Sequence, residues 1–73
     1  MDFEEMKQRV EMGEEFQFYY KLDSYWISHN QAGFYLTRVK DSYSQFFKTS
    51  NELFKDAQIE GKKLLELWNE LDI

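Results

Sequence analysis

Eight of the fourteen aromatic residues of this 73-residue chain lie between Phe16 and Tyr35, and they alternate there with polar neighbours at a period of two. That period places successive side chains on opposite faces of a strand. Phe16, Phe18, Tyr20 and Leu22 alternate with Gln17, Tyr19 and Lys21, which predicts a half-buried strand over 16–22. Asp23-Ser24 reads as a tight turn, Tyr25–His29 as a second strand, Asn30–Gly33 as a four-residue turn and Phe34–Val39 as a third strand.

This pairing scheme assigns faces. A turn at Asp23-Ser24 sets Leu22 opposite Tyr25, Tyr20 opposite Ile27 and Phe18 opposite His29. The Asn30–Gly33 turn sets His29 opposite Phe34, Ile27 opposite Leu36 and Tyr25 opposite Arg38. Both hairpins then put Phe16, Phe18, Tyr20, Leu22, Tyr25, Ile27, Phe34 and Leu36 on one face, the expected core side. Gln17, Tyr19, Lys21, Trp26, Ser28, Tyr35, Thr37 and Val39 fall on the other.

The flanking segments switch to helical spacing. Phe3, Met6 and Val10 form one apolar stripe, which predicts a helix over 2–12 ending near Gly13. Asp41-Ser42 reads as a turn and Tyr43–Lys48 as a short fourth strand at the sheet edge. Thr49 and Glu52 have the spacing of a capping box ahead of Leu53, Phe54 and Ala57, for a short helix to about Gln58. Leu64, Leu67, Trp68 and Leu71, at i, i+3, i+4 and i+7, predict a last helix. The expected fold class is α+β, a single domain over 1–73. It has an antiparallel meander of three or four strands, an N-terminal helix and two C-terminal helices, in the order α-β-β-β-(β)-α-α.

A core this small supplies only roughly 3–5 kcal/mol, and with no Cys and one His the chain has neither a disulfide nor a thiolate or multi-histidine metal site to brace it. Packing has to suffice. The expected core is Phe16, Phe18, Tyr20, Ile27, Leu36, Leu64, Leu67 and Trp68. The acidic, amphipathic start MDFEEMKQRVEMG lacks the apolar stretch of an export signal, and no apolar run reaches membrane-spanning length, so the expectation is a soluble cytoplasmic protein with no membrane partner.

The net charge of −5 is uneven: −4 over residues 1–15, +2 over 16–49 and −3 over 50–73. An acidic chain repels phosphate backbones, which disfavours nucleic acid. An aromatic face carrying Tyr19, Trp26 and Tyr35 beside Lys21, Ser28 and Thr37 points instead to recognition of another protein or to self-association, because Tyr and Trp offer large rigid contact area with a polar tip. Tyr19, Lys21, Trp26 and Tyr35 are therefore the expected binding residues. Carboxylates around such an anchor also suit a small acidic inhibitor or adaptor that engages a basic protein.

The alternative is nucleic-acid binding, with bases stacked on the aromatics and phosphates on Lys21, Arg38, Lys40 and Lys48. In the order of its elements, and in a last helix opening Gly61-Lys62-Lys63, the chain resembles a double-stranded-RNA-binding domain, whose last helix presents a basic N-terminus to phosphates. It departs from that pattern in Glu60, Glu66 and Glu70 around the lysines and in the segment from Asp41 to Ile59. His29, the single imidazole, has no nucleophile in a recognisable motif and reads as a turn or edge residue rather than a catalytic base. The carboxylates at Glu11, Glu14 and Glu15 and at Glu66, Glu70 and Asp72 have the spacing of solvated helix faces and form no D-x-D-x-D-G loop. The expectation is a non-catalytic protein with no cofactor and no metal.

Overall fold

A computed structural model describes residues 1–72. The first helix, α1 (Phe3–Glu11), begins where the Asp2 carboxylate accepts the Glu5 N–H at 2.7 Å, satisfying one of the amides that a helix start leaves unpaired. Met6 and Val10 are buried from it, and it stops at Gly13, whose φ of +104° is the left-handed conformation that ends helices.

Four strands follow as a meander: β1 (Phe16–Tyr20), β2 (Asp23–His29), β3 (Phe34–Arg38) and β4 (Tyr43–Phe47). The β2–β3 register is the expected one, with His29 opposite Phe34, Ile27 opposite Leu36 and Tyr25 opposite Arg38. The first hairpin differs. Its turn is Lys21-Leu22, so Tyr20 faces Asp23, Phe18 faces Tyr25 and Phe16 faces Ile27. Asp23 and Ser24, which look like turn formers, lie in the strand and use their polar groups sideways. Asp23 pairs with Lys40 at 3.4 Å, while Ser24 accepts from the Gln17 side chain through its hydroxyl and from the Val39 N–H through its carbonyl. The Phe18 and Tyr25 rings stack at 5.8 Å across this register. The turn has moved by two residues, an even step, so the strand faces are unchanged. Lys21 and Leu22, now turn residues, are the exceptions: Leu22, expected on the core face, sits at the hairpin tip and is 99% exposed.

After β4, the Thr49 hydroxyl caps α2 (Ser50–Asp56), accepting the Glu52 N–H at 3.1 Å. A small hairpin that the sequence reading did not anticipate comes next: β5 (Gln58–Ile59) and β6 (Lys62–Lys63), joined by Glu60 and Gly61 at φ +54° and +80°. Positive φ at both central residues is the signature of a tight primed turn. The Gln45 side chain ties this hairpin to β4, donating to the Gln58 carbonyl at 2.7 Å and accepting the Gln58 N–H at 3.0 Å.

The C-terminal apolar stripe does not make one long helix. It is a single turn, α3 (Leu64–Leu67), then a turn of 3-10 helix over Trp68–Glu70 and a short strand, β7 (Leu71–Asp72). β7 pairs antiparallel with β1, Tyr19 to Asp72 and Tyr20 to Leu71. An unpaired sheet edge offers free N–H and C=O groups, and that ladder outcompetes another helical turn. Leu64 and Leu67 are still buried, with Trp68 and Leu71 packed against the same core.

The sheet order is β4-β3-β2-β1-β7, with the helices on one face. Between them lies the core. Met6 and Val10 of α1, Leu53 and Phe54 of α2, and Ile59 of β5 meet Phe18, Tyr20, Tyr25, Ile27 and Leu36 of the sheet. Phe16 and Trp68 are half-buried at its margin. Among the described residues, every buried side-chain polar atom has a hydrogen-bond partner.

Gly33 closes the β2–β3 turn, where the Asn30 side-chain oxygen accepts the N–H groups of Ala32 and Gly33. A Cβ at Gly33 would run into the carbonyl oxygen of Phe47 and the Phe46 ring. Backbone cannot yield as a flexible side chain does, so Gly33→Ala should destabilise the protein by roughly 1–3 kcal/mol, read as a lower urea midpoint. Truncating a fully buried sheet residue is expected to be worse. Phe18→Ala or Leu36→Ala should cost roughly 2–5 kcal/mol, comparable with the stability of a domain this size, and abolish the cooperative transition in the same measurement.

Candidate protein-binding face

The face of the sheet away from the helices is built in rows set by the register. Trp26 stands between Gln17 and Thr37, Tyr19 between Ser24 and Asp72, and Tyr35 between Ser28 and Phe46. Among the described residues no helix covers it: Tyr19 is 49% exposed, Trp26 45% and Phe46 47%. Tyr35 is half-buried. Its ring lies 5.2 Å from that of Phe46, and its hydroxyl accepts from the Asn30 amide at 3.1 Å. Short polar contacts hold the remaining surface, Gln17 donating to Ser24 at 2.9 Å and the Thr37 and Ser44 hydroxyls sharing a 2.7 Å bond. Beside Trp26 a shallow apolar depression of about 300 Å³ is bounded by Gln17 and Val39.

Three of the four expected binding residues, Tyr19, Trp26 and Tyr35, therefore share one face, and Lys21 does not join them. In the turn at φ +56°, Lys21 sends its ammonium to the opposite side, 5.3 Å from the Tyr20 ring centroid and 3.2 Å from Glu60. The hydrogen bond and charge of Glu60 raise the Lys21 pKa above its ordinary value. Phe46 takes the vacant place in the aromatic group. Registering β4 against β3 would have found it, because Tyr43–Phe47 alternates in step with Phe34–Arg38 and Phe46 falls opposite Tyr35.

Of the four cations proposed for phosphates three are occupied, while Lys48 makes no ion pair among the described residues. Lys21 pairs with Glu60, Lys40 with Asp23 and Arg38 with Asp41. Lys62 and Lys63 form β6 and do not open a long helix, so the element that carries the resemblance to a double-stranded-RNA-binding domain is not formed. His29 contacts Glu15 at 3.4 Å and stacks on Phe34 at 6.0 Å. Among the described residues no three His, Asp or Glu side chains converge as a metal site, and no helix is long and apolar enough to cross a membrane.

On the helix side of the sheet, a polar cleft of about 280 Å³ lies between Tyr25, Arg38, Tyr43 and the β5–β6 hairpin. The Arg38 guanidinium is held there by both Asp41 oxygens, the shortest contact being 2.7 Å, and lies 5.4 Å from the Tyr43 ring centroid. Burial raises the Tyr25 hydroxyl pKa. No protein-family model, curated protein or solved structure matches this chain.

The Arg38 hydrogen bond holds the Asp41 carboxyl down to about 2 from 3.8. A carboxyl whose pKa falls on folding stabilises the native state above its unfolded pKa, and the contribution is lost as pH falls toward the folded value. Asp41→Asn keeps the side-chain oxygen that accepts the Tyr43 N–H but removes the charge. The stability gap between wild type and this variant, measured by urea unfolding, should be open at neutral pH and close on acidification toward pH 2.

Proposed function

We propose that the protein is a non-catalytic protein–protein interaction module, a small acidic inhibitor or adaptor, that binds through the open sheet face centred on Trp26. The observation that carries this reading is the exposure of Tyr19, Trp26 and Phe46 in successive rows of one sheet face, in a chain whose core relies on its other aromatic residues. Burying these rings inside was the stabilising option for a small domain. Rings of this kind, amphipathic and rigid, anchor protein interfaces because they bring large area at little entropic cost.

Charge selects the partner. The net charge is −5 and the isoelectric point about 4.7, so two copies repel each other while a basic partner is drawn in. The proposed partner is a protein with an apolar patch set in basic surroundings.

Trp26→Ala and Tyr19→Ala are the informative variants. Both side chains are about half exposed, so unfolding stability should change by less than about 1 kcal/mol. Retention of a partner from a native lysate should weaken by about 30-fold for Trp26→Ala, as for a central hot spot, with salt lowering the association rate. Identical capture by wild type and variant would remove the face from function, and unfolding of Trp26→Ala would place that ring in the structural core.

A further inference from the structure

The layer of helices carries a second surface of different character, on the other side of the sheet from Trp26. Phe3 of α1, Phe54 of α2 and Leu65 of α3 form an apolar groove of about 310 Å³ ringed by Lys7, Lys55 and Lys63. The floor is firm. The Phe3 ring meets Phe54 edge-on at 5.5 Å and Trp68 edge-on at 5.4 Å, and Leu65 at the rim is 63% exposed.

The placement of charge makes this groove unusual for the chain. Carboxylates outnumber basic side chains fourteen to nine. Four of the nine are paired: Arg9 with Glu5, Lys21 with Glu60, Lys40 with Asp23 and Arg38 with Asp41. Among the described residues the other five make no ion pair, and three of them are the lysines that ring this one groove. A local excess of positive charge around an apolar floor is complementary to a ligand that combines carboxylates with an apolar anchor.

We infer that the groove docks an acidic peptide segment of another protein, with a Leu or Phe side chain seated against Phe3 and Phe54 and flanking Asp or Glu side chains on Lys7, Lys55 and Lys63. Three separate ammonium groups call for several carboxylates, more than the single one of a fatty acid. A volume near 310 Å³ lies at the small end of the roughly 300–1,000 Å³ range of ligand pockets, a size for one or two side chains. An anionic bilayer fits less well, because it is flat and meets an entire flank of a molecule measuring 30 × 27 × 18 Å and carrying −5. A short peptide senses only charges within about 8 Å.

The inference does not depend on the sheet face, and the two tryptophans separate the surfaces. In Trp26→Phe, Trp68 is the sole indole and its ring touches the wall of the groove. The probe is a short synthetic peptide with a central Leu-Phe pair flanked on each side by Asp and Glu. Titration into Trp26→Phe should change Trp68 emission saturably. The combined Lys7→Gln, Lys55→Gln and Lys63→Gln variant, with circular dichroism verifying its fold, should bind about tenfold more weakly or worse. A peptide with Ala in place of Leu-Phe should also lose affinity. No saturable change up to millimolar peptide, equal affinity in the lysine variant, or binding of phosphatidylserine vesicles in place of the peptide would overturn the assignment.

Discussion

Everything in this molecule depends on one apolar layer, the contact between Phe18, Tyr20, Tyr25, Ile27 and Leu36 of the sheet and Met6, Val10, Leu53 and Phe54 of the helices. The chain has no Cys for a disulfide, and among the described residues no cluster of metal ligands shares the work and the ion pairs lie at or near the surface, where each contributes little. The layer forms because alternation along the strands and a stripe along each helix present matching apolar faces. Once it has formed, the opposite face of the sheet needs no cover for stability and is available for other use.

The strand faces were legible in the sequence because alternation tolerates even errors. Placing the first turn at Asp23-Ser24 misassigned every partner across β1 and β2, yet left Phe18 and Tyr20 inside and Tyr19 and Trp26 outside. Turn chemistry was the weaker guide. Lys21 adopts a positive φ that its residue type does not advertise, while Asp23 and Ser24 form cross-strand contacts that local propensity cannot foresee. The last helix was over-read for a related reason. A stripe at Leu64, Leu67, Trp68 and Leu71 suits a helix, but a helix turn, a 3-10 turn and a strand bring the same side chains to the core, and the choice is made by the free edge of β1.

The candidate surfaces were legible in the same measure. Tyr19, Trp26 and Tyr35 needed only face parity. Lys21 needed the position of the turn and of Glu60, nearly forty residues along the chain. Phe46 needed the β4 register. The groove on the helices was beyond reach, since Phe3, Phe54 and Leu65 belong to three separate elements brought together only by packing.

The order of pairing in the sheet also bears on how the molecule assembles. Each of the first four strands pairs with its neighbour in the chain, so successive hairpins can zip locally with little loop entropy to overcome. The α1–α2 contact and the β7–β1 ladder, by contrast, join parts distant in the chain. The meander is thus the natural nucleus. The two-residue ladder at Tyr19 and Tyr20 is the natural first point of fraying, where the amides of Leu71 and Asp72 exchange with solvent ahead of those in β2 and β3.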